Sequence, residues 1–99
     1  MNYTLKLDKT LSALAGYKYG QQIFREQVKP NISDYSTDLN IEFPKNIEYL
    51  ASSFVQGFFS DLVEKIGFSS VEDRVDILSE NPNITKKNVM GKLFEGTTN

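Results

Sequence analysis

The chain has 99 residues, of which 39% are apolar and 24% are charged, enough for one globular domain but too few for two separate cores. Eleven basic against thirteen acidic residues give a net charge of −2, which lacks the basic excess needed to bind nucleic acid. Cysteine and histidine are both absent, which excludes thiol nucleophiles, disulfides, thiolate zinc sites and imidazole bases. No apolar run reaches the roughly 20 residues of a membrane span, and the start does not resemble a secretion signal. We therefore expect one cytoplasmic domain over residues 1–99, with neither membrane nor nucleic acid as a partner.

The first third of the chain predicts a strand followed by helix. Apolar and polar residues alternate over Tyr3–Asp8, the period of a half-buried strand. Thr10 is a candidate N-cap for a short helical turn that reaches Ala15. Apolar spacing then predicts a longer helix over Tyr17–Lys29, because Pro30 blocks its continuation.

The middle of the chain predicts a second strand and the clearest helix. Leu39–Phe43 alternates in the same way before Pro44 ends the pairing. An apolar stripe at helical spacing follows, with Ser52 or Ser53 as the cap at its start and Gly67 as the left-handed residue past its end. The stripe consists of Val55, Phe58, Phe59, Leu62, Val63 and Ile66.

The last third predicts a strand and a closing helix. Val71–Ile77 alternates with polar residues, and Thr85 is a candidate cap for a helix whose inner face is Val89, Leu93 and Phe94. The resulting order of strand and helix, repeated three times, predicts a small single α/β domain with a mostly parallel sheet. Because all three strands alternate, we expect helices mainly on one face of the sheet and an open opposite face. A partner, a second copy of the chain or solvent would cover that face.

Carboxylates are the first candidates for chemistry. Glu42, Asp73 and Asp76 lie in or beside predicted strands and could serve a magnesium-dependent hydrolase or a nucleotide-handling enzyme. The blander interpretation is solvated surface charge, because charged residues are exposed by default. Gly16 and Gly20 lack the lysine and hydroxyl pair of a phosphate loop. We therefore expect no catalysis and no cofactor, with the magnesium enzyme as the alternative.

The start of the apolar-stripe helix is the most suggestive position. Ser52 and Ser53 bring two hydroxyls to a helix N-terminus, where free amides and the helix dipole favour an anion, including a phosphate carried by serine itself. An ordinary serine N-cap is the alternative.

The segments Leu39–Phe43, Ile47–Leu50 and Ser52–Phe54, with the amphipathic helix that closes at Gly67, resemble the STAS-like family of uncharacterised domains. These are relatives of the STAS domains of anti-sigma-factor antagonists. Leu14–Arg25 is similar to the N-terminal helix of that family, so the resemblance covers nearly the whole chain.

Classical STAS relatives carry a phosphorylatable Ser or Thr at this helix start, and Ser52 and Ser53 match those hydroxyl positions. Ala51 and Phe54 replace the acidic residue and the glycine of the classical turn, and Gln56 and Gly57 stand where STAS-like members often carry an acidic residue. The resemblance thus implies the fold and a regulatory binding role more than phosphorylation.

These observations together predict a small cytoplasmic regulatory or protein-interaction domain. Its expected partner-binding or phosphorylation residues are Ser52, Ser53 and Phe54. The expected partner is another protein, either a regulator or a kinase-like ATPase, and self-association into a homo-oligomer is a further candidate.

Overall fold

Five strands and four α-helices make up the computed structural model of the protein, which describes residues 1–95. The elements in chain order are β1 (Asn2–Thr4), β2 (Ala13–Leu14), α1 (Tyr17–Ile23), a π-helical segment (Phe24–Val28), a 3-10 turn (Lys29–Asn31), β3 (Leu39–Glu42), β4 (Tyr49–Leu50), α2 (Ser52–Phe58), α3 (Ser60–Arg74), β5 (Val75–Leu78) and α4 (Lys86–Glu95).

The three predicted strands form one parallel sheet, as the sequence indicates. Its order is β1-β3-β5, so β3 lies in the middle and the other two strands are the edges. Leu39 and Ile41 of β3 and Val75 and Ile77 of β5 are buried, whereas the residues between them are half-buried or exposed. The predicted alternation is confirmed, and one face of the sheet carries polar side chains toward the outside.

A second, two-stranded parallel sheet pairs β2 with β4 and is absent from the prediction. The helical turn expected after Thr10 is wrong, because Ala13 and Leu14 pair with Tyr49 and Leu50 instead. Thr10 caps no helix, and both its backbone N–H and its hydroxyl donate to Asp8 Oδ1. A long-range strand pairing overrides the local helical spacing here.

The predicted helix over residues 17–29 is confirmed in extent, but only its first seven residues are α-helical. It starts as α1 and continues through the π-helical segment, and the 3-10 turn that contains Pro30 ends it. π-Helical turns inside helices are rare and alter the angular position of the side chains that follow them.

The apolar stripe is confirmed as the inward face, but it spans two helices. Phe59 leaves helical geometry, with φ −94° and ψ 1°, and separates α2 from α3. Gly67 has φ +84°, as predicted for a left-handed position, yet the chain resumes helix after this kink. The third strand therefore begins at Val75, and Val71 is a buried residue of α3. The expected strand start at Val71 is wrong because alternation over a few residues does not distinguish strand from helix.

The last predicted helix is confirmed as α4. The backbone N–H of Asn88 donates to Thr85 Oγ1 at 3.2 Å, the geometry of a threonine N-cap. Val89 and Leu93 are buried as expected, together with Met90.

Phe58 lies at the centre of an aromatic cluster in the core and is 1% exposed. Its ring centroid is 5.4 Å from that of Phe24, 5.7 Å from that of Phe54 and 4.9 Å from that of Phe59. The first of these rings comes from the π-helical segment and the other two from the α2 region. The cluster thereby joins two helical layers of the core.

Helices α1 and α2 cross at two glycines. A Cβ at Gly20 would overlap the backbone of Phe54 and Phe58, and a Cβ at Gly57 would overlap the carbonyl group of Tyr17. The two backbones therefore touch without intervening side chains, which only glycine permits at such a close approach.

Replacing Phe58 tests the aromatic cluster. Phe58→Ala should lower the free energy of unfolding by about 3 to 5 kcal/mol, because it removes a buried ring and leaves a cavity among three others. Denaturant titration measures the change. A loss below about 1 kcal/mol would show that the ring is not packed as described.

Replacing Gly57 tests the close crossing of α1 and α2. Gly57→Ala should lower the free energy of unfolding by at least about 3 kcal/mol, because the methyl group would meet rigid backbone that has to move. Gly91→Ala is the matched control, since a Cβ at Gly91 in α4 meets nothing within 4 Å. It should stabilise the protein by about 0.5 to 1 kcal/mol through helix propensity. Equal effects of the two substitutions would contradict the crossing.

Candidate functional site

The predicted site residues stand at the first turn of α2, directly after β4. Ala51 is the N-cap residue, with φ −69° and ψ 149°, and no side chain caps the helix. Ser52 and Ser53 are therefore the first two helical residues, and the expectation that either serine caps α2 is wrong. Because neither hydroxyl serves the amides of its own helix, both are used for contacts with other elements.

The Ser52 hydroxyl connects α2 to the end of α4. Ser52 is half-buried, and its Oγ donates to Glu95 Oε2 at 2.6 Å. Glu95 is exposed, so the carboxylate reaches back from the surface to the serine. Hydrogen bonds to a charged acceptor are stronger than those between neutral groups. The bond therefore fastens the last turn of α4 beside the start of α2.

The Ser53 hydroxyl connects α2 to the start of α1. Ser53 is exposed, and its Oγ accepts a hydrogen bond of 3.0 Å from the backbone N–H of Gly16. Gly16 has φ +103° and precedes the first residue of α1. Ser53 thus satisfies a backbone donor at the turn that leads into α1.

The third predicted site residue, Phe54, lies inside the core with no exposed surface. Its ring centroid is 5.7 Å from those of Tyr19 and Phe58. A side chain in this position cannot contact a partner of the folded domain. Phe54 instead packs the first turn of α2 against the core. Of the three predicted residues, only the two serines are accessible to a partner.

Two further residues complete this surface. Lys92 of α4 places its Nζ 4.3 Å from the centroid of the Tyr49 ring and donates a short hydrogen bond to the carbonyl of Leu50. Tyr49 is 55% exposed, so the ring covers the ammonium group on one side and faces solvent on the other. We name Tyr49, Ser52, Ser53, Lys92 and Glu95 the α2 junction.

Lys92 and Glu95 are functional candidates that reasoning from the sequence misses. Glu95 is 43 positions from Ser52 and Lys92 is 42 positions from Leu50, so no local sequence pattern connects these pairs. A basic residue near a helix C-terminus is commonplace, since it interacts favourably with the helix dipole. Only the packing of α4 against α2 brings these charges to the serines.

A cleft of about 260 Å³ adjoins the α2 junction. Tyr17, Val63 and Phe68 contribute apolar surface to its wall, and Gln56 and Glu64 contribute polar surface. The Gln56 side chain also donates to the backbone carbonyl of Lys92 at 3.3 Å. Gln56 therefore connects one wall of the cleft to the backbone of Lys92 in the α2 junction.

The three carboxylates of the enzyme alternative do not converge. Glu42 and Asp76 are exposed on the polar face of the sheet, where Glu42 accepts a hydrogen bond of 2.8 Å from the hydroxyl of Thr4. Asp73 lies in the last turn of α3 rather than in a strand. Within residues 1–95, no three acidic side chains form a group that could hold a metal ion. The arrangement that the magnesium alternative needs is not found in this part of the chain.

Three other carboxyl groups have lowered pKa values with local causes. The hydrogen bond from Arg25 lowers the pKa of Asp61, which it meets at 2.8 Å. Hydrogen bonds from the backbone and hydroxyl of Thr10 lower the pKa of Asp8, and those from the hydroxyl and backbone of Ser36 lower the pKa of Asp34. Each group is tied to a turn or an exposed ion pair, which is typical of structural roles.

Comparisons of this chain with models of protein families, with curated proteins and with solved structures returned no match. Over the described residues, no helix combines the length and the apolar character that a membrane crossing requires.

The structure distinguishes the serines from a true helix cap. Thr85→Ala should lower the free energy of unfolding by about 1 kcal/mol, because it removes the side chain that caps α4. Ser52→Ala and Ser53→Ala should each cost less than about 1 kcal/mol, since their partners Glu95 and Gly16 lie where water can replace the lost bond. Denaturant titration of the three variants measures this order. A serine variant less stable than Thr85→Ala would indicate that the hydroxyls serve mainly to hold the fold.

Proposed function

We propose that this chain is a small regulatory or protein-interaction domain of STAS-like fold, and that its partner is another protein that contacts the α2 junction. The observation that carries the proposal is the use of both serine hydroxyls for contacts between elements. Ser52 bonds to α4 and Ser53 bonds to the start of α1, although each stands on the surface at the first turn of α2.

This arrangement suits regulation because a change at one surface point affects three helices. A partner group that takes the Ser52 hydroxyl competes with Glu95 and releases the end of α4. A group that takes the Ser53 hydroxyl competes with the Gly16 N–H and releases the start of α1. Exposed Tyr49, whose ring lies against Lys92, adds an aromatic side chain of the kind that is enriched in protein interfaces.

The resemblance to STAS domains supports a cytoplasmic regulator or kinase-like ATPase as the class of partner. The proposal includes no catalytic step. It needs only that a partner bind more tightly to one arrangement of the α2 junction than to another.

Site-specific photo-crosslinking tests the proposed surface. A photo-reactive amino acid replaces Tyr49, which is 55% exposed, or Leu78, which is 44% exposed on β5 and serves as the matched control. The two proteins are irradiated in extracts of the native cell. We expect a discrete protein adduct from position 49 and none from position 78. An adduct from position 78 alone would move the working surface to the polar face of the sheet.

Charge substitutions test the role of the serines in the variant that carries the photo-reactive amino acid at position 49. Ser52→Asp places a carboxylate against Glu95, and the like charges should reduce the adduct about ten-fold or more, the effect of roughly 1.4 kcal/mol. Ser53→Asp still offers an acceptor to the Gly16 N–H and should leave the fold intact by circular dichroism. An adduct that neither substitution changes would contradict the proposed part of the serines.

A further inference from the structure

The cleft of about 260 Å³ takes its lining from α1, α2, α3 and α4. Tyr17 comes from α1, Gln56 from α2 and Leu93 from α4, and the other lining residues belong to α3. Clefts between packed helices are frequent places for small-molecule sites, because several elements surround the ligand there. We name this cavity the helix cleft.

Much of the wall of the helix cleft is apolar and partly open to solvent. Tyr17 is 46% exposed, Val63 and Phe68 are half-buried, and Leu93 is buried. The Phe68 ring packs against that of Phe94 with the centroids 5.7 Å apart, which supports its position. The apolar body of a ligand would lose its contact with water here and gain contact with two aromatic rings.

Glu64 gives the helix cleft its charge. It is the only charged residue in the lining, as far as residues 1–95 describe it, and it is exposed. Within the same residues its carboxylate makes no hydrogen bond and no ion pair. A negative group without a bonded partner therefore stands beside an apolar wall.

The cations closest to Glu64 have other partners. Arg25 donates two hydrogen bonds to the Asp61 carboxylate, at 2.8 and 3.0 Å. Asp61 is the main cause of the raised pKa of Arg25, and Glu64 contributes less to it. The Nζ of Lys65 lies 5.4 Å from the centroid of the Tyr35 ring. Because Arg25 and Asp61 neutralise each other, the negative charge of Glu64 stays available to a cation.

The neutral polar groups of the lining favour a ligand that donates hydrogen bonds. The Ser60 hydroxyl donates its one proton to the carbonyl of Gly57 at 2.8 Å and accepts from Gln21 Nε2 at 3.2 Å. Gln56 uses its Nε2 on the carbonyl of Lys92. With the Glu64 carboxylate included, the hydrogen-bonding capacity left in the lining consists more of acceptors than of donors.

We propose that the helix cleft binds a small organic amine in its protonated form, with its apolar body against the aromatic wall and its ammonium group at Glu64. An ammonium supplies the donors and the positive charge that the lining lacks, and the faces of Tyr17 and Phe68 attract a cation as well. The volume is below the roughly 300 to 1,000 Å³ of sites for drug-sized ligands, which indicates a smaller molecule. A protein partner would instead need about 800 Å² of surface. The inference is independent of the partner proposed for the α2 junction.

NMR titration of the isotope-labelled full chain tests the proposal with three probes of similar shape: phenethylammonium, phenethyl alcohol and phenylacetate. We expect phenethylammonium to bind with a Kd of about 1 mM or tighter, in the range for a ligand of this size. It should bind about three-fold or more tighter than the alcohol, and phenylacetate should bind most weakly, because its charge repels that of Glu64. Higher ionic strength should weaken only the ammonium complex.

The positions of the shifted signals identify the cleft. Glu64 also borders a second cleft of about 280 Å³, which Tyr35 and Lys65 line. Binding in the helix cleft should shift the signals of Val63, Phe68 and the Gln56 side-chain amide. Signals around Tyr35 should stay in place.

A pair of matched substitutions tests the role of the carboxylate. Glu64→Gln keeps the shape of the side chain, and it should weaken phenethylammonium binding about three-fold or more while leaving phenethyl alcohol binding unchanged. Glu72→Gln is the control, because Glu72 is equally an exposed acid of α3 and does not line the helix cleft. It should bind both probes as the unaltered protein does.

Four results would overturn the proposal. They are no saturable shift with phenethylammonium up to about 10 mM, an affinity for the ammonium no higher than that for the alcohol, shifts centred on Tyr35, and equal ammonium binding by Glu64→Gln and Glu72→Gln. Both substitutions are at exposed positions, so circular dichroism of the variants should match that of the unaltered protein.

Discussion

The direct contact between the backbones of α1 and α2 at Gly20 and Gly57 is the constraint on which the rest of the structure depends. It brings the start of α1 within reach of the first turn of α2, so that the Gly16 N–H can meet the Ser53 hydroxyl. The same contact sets α1 and the π-helical segment over the aromatic cluster, where Phe24 packs edge-on against Phe58. A side chain at either glycine would separate the helices and disrupt all of these contacts.

The inward face of the central sheet packs into the apolar core, whereas side-chain hydrogen bonds are found at the edges of the sheet. The inward faces of β3 and β5 contribute apolar residues to a single core, and within residues 1–95 no buried side-chain nitrogen or oxygen lacks a hydrogen-bond partner. Polar side chains instead lie at the sheet edges, where Gln27 and Asp76 bond to backbone groups. At the α2 junction, Ser52 donates to the Glu95 carboxylate and Ser53 accepts from the Gly16 backbone N–H. Gln27, Ser52 and Ser53 thereby connect separate parts of the chain at the surface of this small domain.

The α2 junction illustrates why a serine at a helix start is ambiguous. A cap, a phosphate acceptor and a contact between elements all require a hydroxyl on the surface near a helix N-terminus. Ala51 at the cap position frees Ser52 and Ser53 from the first role. Glu95 beside Ser52 changes the electrostatics of the second role, because a negative group added to the serine would face a carboxylate.

The sequence by itself determined the parts of the fold that depend on local periodicity. Alternation placed Leu39 and Ile41 inside and Glu42 outside, and helical spacing identified the inward face that includes Phe58 and Leu62. Thr85 was recognisable as a cap because capping acts within three residues. The repeated order of strand and helix was enough to predict a parallel sheet.

Only the tertiary structure decided the features that depend on residues distant in the chain. The pairing of β2 with β4 and the two hydrogen bonds between Gln27 and Lys6 join groups that no local pattern connects. The approach of Glu95 to Ser52 likewise follows from how α4 packs, and not from either segment alone. Periodicity indicates which side chains of one element share its buried face. The position of a hydroxyl or a carboxamide relative to a distant partner is instead set by the packing of whole elements.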